Sequence, residues 1–298
     1  MTHQITLPEV TPMRWKDERR SENVEDQRNI RPATLAAGGG ILTLIIVIVG
    51  VLLGADPRQM LRLVQNNQQA APDQKVNRPV DPAEEERVDF VKAVLGSTED
   101  TWTQLFRAMN KQYKEPKLHL FTEGVKTEGC GFASSAVGPF YCPGDEKVYL
   151  DLGFFQEMKK RFHAPGDFAQ AYVIAHEIGH HIQNLLGTSD RVRSLQARAS
   201  QEEANALSVR LELQADFLAG VWAHHAEKAR QILERGDVET ALNAANAIGD
   251  DTLQKQAQGY VVPDSFTHGS SEQRIRWFSL GLQTGDINQG DTFKADPL

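Results

Sequence analysis

Only two cysteines, Cys130 and Cys142, occur in the 298 residues of this chain, and no histidine lies between them. Two thiolates alone do not complete a tetrahedral zinc site, which excludes a cysteine-built zinc finger. Aromatic residues make up 7% of the sequence and no basic stripe interleaves them. With a net charge of −8, the chain lacks the positive footprint that a nucleic-acid partner requires. The mild acidity carries no further functional weight. Internal repeats of roughly 20–50 residues are also absent, which argues against solenoids and propellers. What remains, 40% hydrophobic and 24% charged residues, suits one or two globular domains.

Long apolar runs are equally scarce, with one exception. Ala33 to Gly54 carries no charge and includes Ile41-Leu42-Thr43-Leu44-Ile45-Ile46-Val47-Ile48-Val49; about 22 such residues are enough to span a bilayer as a helix. A cleaved signal peptide fits less well, because about thirty residues precede the run. Those residues, 1–32, are polar with balanced acids and bases and no apolar periodicity, and read as a weakly structured tail. Arg19, Arg20, Arg28 and Arg31 precede the run, and only Arg58 and Arg62 closely follow it. The positive-inside rule then predicts a single-pass inner-membrane protein with a cytoplasmic N-terminus. Residues 55–81, rich in Gln, Asn, Asp and Pro, read as a linker, and residues 82–298 as a domain on the periplasmic or extracellular side. A Cys130–Cys142 disulfide suits that compartment; a reactive or metal-binding thiol pair is the other reading.

The domain reads as α+β and mainly helical. Pro82 opens a helix with acids in its first turn, ended by Gly96, and a second helix from about Glu99 to Tyr113 buries Trp102, Leu105, Phe106 and Met109. The period then shifts to two: Leu118, Leu120 and Val125 suggest one strand and Val148 to Leu152 another, within a small antiparallel sheet of three or four strands. Gly153 to Phe162 predicts a short helix. Asp167, with Gln170 as capping-box partner, predicts the start of a helix that Gly187 ends. Ser200 with Glu203 caps another, running to about His225. A further helix covers Val238 to Tyr260, and a last one carries Trp277, Phe278 and Leu280.

Inside the apolar run Phe168 to Leu186 lies Ala175-His176-Glu177-Ile178-Gly179-His180-His181. Residues four apart share a helix face, so His176 and His180 can grip one ion while Glu177 faces what that ion holds. This is the H-E-x-x-H spacing of zinc peptidases. Buried polar groups need partners, and zinc is the economical one here. Ala175 and Gly179 leave room for a neighbouring helix and a substrate. His181, about 100° further round, is a supporting or structural residue. Catalytic zinc needs a third protein ligand. Glu212 and Asp216 are four apart in another apolar segment, so Glu212 can complete the site while Asp216 orients a ligand histidine; Asp216 itself and His224 are the rivals for third ligand.

Cys130-Gly131, Gly138-Pro139-Phe140-Tyr141-Cys142-Pro143, Val148-Tyr149-Leu150-Asp151-Leu152 and Ala171 to His181 together resemble the bacterial neutral zinc metallopeptidases of the YpfJ type. The resemblance covers nearly the whole chain. It implies a zincin-like, membrane-anchored enzyme that hydrolyses peptide or protein substrates. A more distant likeness is to gluzincins related to the CAAX prenyl proteases, whose E-x-x-x-D segment Glu212 to Asp216 matches. Their Thr-His-Pro stretch, with an arginine six residues on, is kept here as Thr267-His268-Gly269 with Arg274, glycine replacing proline. That likeness implies a transition-state role for His268; an ordinary surface-loop histidine is the other reading. In zinc peptidases of the helix-plus-sheet kind a sheet edge pairs with extended substrate. The 148–152 strand is a candidate for that edge, or else an interior strand. The competing function is a non-proteolytic, zinc-stabilised binding module at a membrane surface, which the presence of Glu177 disfavours.

Overall fold

The computed structural model describes residues 13–31, 74–76, 79–162 and 164–298. The 33–54 run expected to span a bilayer lies outside these residues, as does most of the expected linker. No helix among the described residues is long and apolar enough to cross a membrane.

The first helix, α1 (Pro82–Ala108), is capped by the Asp81 side chain and has Pro82 in its first turn, as the sequence predicts. It does not stop at Gly96, and the two helices expected on either side of that glycine are one. A β-carbon at position 96 would run into the Arg19 carbonyl, so the glycine marks a close backbone crossing, and its helix cost of about 1 kcal/mol is accepted there.

The crossing segment is the one expected to be a loose polar tail. From residue 13 onward that expectation fails. Met13 and Trp15 are buried in the main core. Strand β1 (Val24–Asp26) joins the central sheet, and β2 (Ile30–Arg31) pairs with β3 (Gln74–Lys75). The segment looked featureless because its apolar contacts are few and its hold is polar: Ser21, Asn23 and Arg19 all meet the buried Glu99.

The remaining strands are β4 (Lys117–Phe121), β5 (Gly124–Lys126), β6 (Phe132–Ser134), β7 (Phe140–Cys142) and β8 (Lys147–Asp151). The four-stranded sheet has the order β1-β4-β8-β7. It is mixed rather than antiparallel: β1 and β8 both run parallel to β4, and only β7 is antiparallel to its neighbour. Parallel neighbours need a crossover connection, and α1 lies between β1 and β4 in the chain. The 148–152 strand is therefore interior, and β1 and β7 are the edges. Cys130 and Cys142 are bonded, tying the preceding loop to edge strand β7.

The helical half follows as α2 (Gly153–Lys160), α3 (Asp167–Leu185), α4 (Thr188–Gln196), α5 (Gln201–Arg230), α6 (Asp237–Ala247), α7 (Asp250–Gln258) and α8 (Ser271–Thr284). The Ser200–Glu203 capping box forms. The one expected from Asp167 and Gln170 does not: Gly166 occupies the cap, and the Asp167 carboxylate accepts from Trp15 Nε1 at 3.0 Å. The single helix expected over 238–260 breaks at Ile248-Gly249, where Asp250 turns to hold the 267–269 loop. Between sheet and helices sit Leu95, Trp102, Leu118, Leu120, Phe168, Tyr172, Phe217, Trp222 and Phe278. Each such fully buried side chain contributes about 1.5–3 kcal/mol, enough to fix α3 against α5 and the sheet.

Candidate metal centre and its cleft

Helix α3 carries His176 and His180 on one face, and α5 brings Glu212 to meet them. The approach depends on Gly179, where a β-carbon would stand 2.9 Å from the Ala215 carbonyl oxygen; any larger residue would push α5 away. Glu212 Oε2 lies 3.1 Å from His176 Nε2, and Glu212 Oε1 3.4 Å from His180 Nε2. The ligand atoms of His176, His180 and Glu212 all lie within 4.8 Å of one another.

Both imidazoles are held from behind. His176 Nδ1 donates to Asp216 Oδ1 at 2.8 Å, and His180 Nδ1 donates to Gln183 Oε1 at 2.9 Å. With the proton on Nδ1, each ring turns an Nε2 lone pair toward the same point, which is how metal-binding histidines are oriented. Burial pulls the His176 imidazole down, but Asp216 and Glu212 outweigh it and push its pKa up to about 10. The same negative field favours a cation, and two imidazoles with one carboxylate are the donor set of catalytic zinc. The residues present therefore fit the ion.

Asp216, 0% exposed, is the hub of this second layer. Its oxygens accept from Arg274 Nε at 2.8 Å and Nη2 at 2.9 Å, and from Tyr172 Oη at 2.5 Å. Burial alone would raise the Asp216 carboxyl, but Arg274 and His176 overcome it and lower its pKa to about 2. Tyr172 escaped the sequence reading, although it sits four residues before His176 on the same helix face, as His180 sits four after. Arg274 was visible only as a spacing from His268; its role required knowing that α8 packs on α5. Gln183 was missed as well, and it also donates to the Leu211 carbonyl at 2.6 Å, joining α3 to α5.

Glu177 is 8% exposed and lies in the wall of the cleft beside the two histidines. Burial raises its pKa; His176 and His180 offset part of that rise. His181 is structural: its Nε2 donates to the Lys114 carbonyl at 2.7 Å, and its Nδ1 accepts from Tyr141 Oη at 3.0 Å. His224, the rival third ligand, is instead hydrogen-bonded through Nδ1 to the Leu282 carbonyl at 2.9 Å. Asp216 is occupied as described.

His268 lines the same cleft of about 1000 Å³, on a loop gripped by Asp250. One Asp250 oxygen accepts from the backbone N–H groups of Thr267, His268 and Gly269, at 2.6, 2.6 and 3.1 Å. The other meets His268 Nδ1 at 3.2 Å, and that bond raises the imidazole pKa against a smaller opposing effect of burial. The approach to the cleft from the sheet is formed by Gly138, Pro139, Phe140 and Tyr141, at the start of edge strand β7.

A model of the family described as "putative neutral zinc metallopeptidase" matches residues 13–293. The chain is 49% identical over 290 residues to the uncharacterized protein YpfJ of Escherichia coli K12, a match covering 94% of this chain and 99% of that one. It is 41% identical over 260 residues to the uncharacterized protein Rv2575 of Mycobacterium tuberculosis, covering 83% and 86% respectively. No solved structure matches.

Proposed function

The chain belongs to the neutral zinc metallopeptidase family, and we propose from this and from its cleft that it hydrolyses peptide bonds. The observation that carries the reading is Glu177, a buried carboxylate raised in pKa beside the His176–His180–Glu212 cluster. Zinc held by those three residues would supply a Lewis acid and lower the pKa of a water toward neutrality. Glu177 takes the proton from the attacking water and delivers it to the leaving amine. His268, raised in pKa by Asp250 and facing the cleft, donates to the oxyanion that develops. Asp216 and Gln183 hold the two imidazoles so that neither ring turns during the reaction.

The substrate is an extended polypeptide. Edge strand β7 runs at the cleft, and its partner β8 takes up only one side of it. A peptide laid against the other side gains main-chain hydrogen bonds without needing a particular side chain. The 33–54 run supports a membrane-held enzyme, and the Cys130–Cys142 bond supports a domain on the periplasmic or extracellular side. Carbonate extraction of membranes tests the first point: release of the intact chain into the wash would refute it.

Peptide-library cleavage, with and without a chelator, tests the chemistry. Wild type should cleave only without chelator, while Glu177→Gln should keep zinc and lose cleavage. Full activity in Glu177→Gln would sink the assignment. No cleavage by zinc-loaded wild type would favour the binding-module reading. Glu212→Ala should lose zinc on dialysis; unchanged zinc content would move the third ligand elsewhere.

A further inference from the structure

We propose that residues 13–31 and the cleft-bearing domain lie on the same side of the membrane, so that the chain joining them makes no net crossing. This inference does not rest on the peptidase reading. It displaces the topology in which the N-terminus is cytoplasmic and the domain is outside.

β1 takes the outer position of the central sheet in register, with Val24 beside Leu118, Glu25 beside His119 and Asp26 beside Leu120. Trp15, 5% exposed, donates to Asp167 at the start of α3. Glu99 is 1% exposed and receives Ser21 Oγ at 2.6 Å, Asn23 Nδ2 at 2.8 Å and Arg19 Nη2 at 2.7 Å. Gly96 is bare where Arg19 passes over it. Withdrawing the segment would strand a buried carboxylate and open apolar surface on β4, both of which are costly. A strand in one compartment cannot join a sheet in another, and exchange of the strand between copies does not evade this.

The connection closes on itself. Ile30 stands opposite Lys75 and Arg31 opposite Gln74, and antiparallel partners are about 5 Å apart. The chain therefore leaves and re-enters the fold at one place, so it crosses a bilayer either not at all or an even number of times. The uncharged run 33–54 has length for one crossing of a hydrocarbon core about 30 Å thick. Residues 55–73 contain Asp56, Arg58, Arg62 and Asn66-Asn67-Gln68-Gln69 and do not supply a second.

Cysteines added one at a time to the full-length chain in bacterial cells test it, with the unsubstituted chain, whose Cys130 and Cys142 are bonded, as the blank. Lys16, Val80 and Lys294 have 73%, 79% and 86% exposure and lie before the run, after it and near the C-terminus. Each Cys variant is treated with a membrane-impermeant maleimide on intact spheroplasts and again after lysis. The expected result is one shared pattern: all three label equally before and after lysis, or all three only after it. Labelling of Lys16→Cys only after lysis, with Val80→Cys and Lys294→Cys labelled on intact spheroplasts, would overturn the proposal, as would the reverse. Arg14→Cys, at a side chain 52% exposed, repeats the upstream measurement, so that a folding defect in one variant does not decide it.

Discussion

Asp216 and Glu99 are both buried carboxylates met by an arginine from far along the chain, yet they are held in different surroundings. Around Asp216 every partner is itself buried: Arg274 has a side chain 3% exposed, and Tyr172 and His176 close the rest. Around Glu99 the arginine is Arg19, whose side chain is 45% exposed, so water reaches the cation but not the carboxylate. A closed network fixes the angle of a ring; a half-open one fixes the path of a chain segment. Glu177 makes the contrast sharper. It is buried beside the same histidines without an arginine, so its proton affinity rises where that of Asp216 falls.

Removing the Glu177 carboxylate should have the largest effect. For Glu177→Gln, peptide cleavage should fall about 10²–10⁴-fold, the usual contribution of a general base, with zinc per chain unchanged by metal analysis. Next is Arg274→Ala, which leaves the buried Asp216 carboxylate with Tyr172 and His176 but without its arginine. It should cost about 3–5 kcal/mol in urea unfolding and lower zinc retention. Asp216→Asn keeps the shape but loses the charge behind His176. Competitive chelation should show zinc bound roughly 10–100-fold more weakly. Arg19→Ala should cost about 1.5–3 kcal/mol, the loss of one hydrogen bond to a charged group from a carboxylate that still accepts from Ser21 and Asn23, and zinc affinity should not move. If Arg19→Ala weakened zinc as much as Arg274→Ala, the distinction between the two networks would collapse.

Asp237 bears on pH dependence, and the sign of its effect is set by burial. Burial, with Asp167, Glu234 and Glu227 nearby, raises its pKa to about 6, above the unfolded value of about 3.9. Between those values the folded state binds more protons. Stability from this group is present at the acid end and is lost as pH rises toward 6. Asp237→Asn should flatten that part of the urea-midpoint profile; an unchanged slope would assign it to another group.

The sequence made some of this legible and hid the rest for definable reasons. His176, Glu177 and His180 were readable because their relation is helical and local. Glu212 and Asp216 were readable as a pair for the same reason, and the Ser200 capping box and the Cys130–Cys142 bond were also visible. Gly96 was misread because a glycine that ends a helix and one that admits a crossing chain look alike in one dimension. Asp167 reads as a cap because nothing local announces Trp15 as its partner. Whether the 148–152 strand is edge or interior stayed open, since strand order is a property of the sheet.

What the sequence determined by itself was the chemistry of the cluster: which residues share a helix face, and hence two imidazoles, an adjacent carboxylate and a further carboxylate pair. Only the tertiary structure decided which groups meet. The packing of α3 on α5 at Gly179 turned Glu212 into the third partner, and α8 on α5 turned Arg274 into the counter-charge of Asp216. The pairing of β1 with β4 made an apparently loose N-terminal stretch part of the domain. Intrahelical neighbours are set by a repeat of 3.6 residues, whereas these contacts join residues far apart in the chain and exist only once the core has packed.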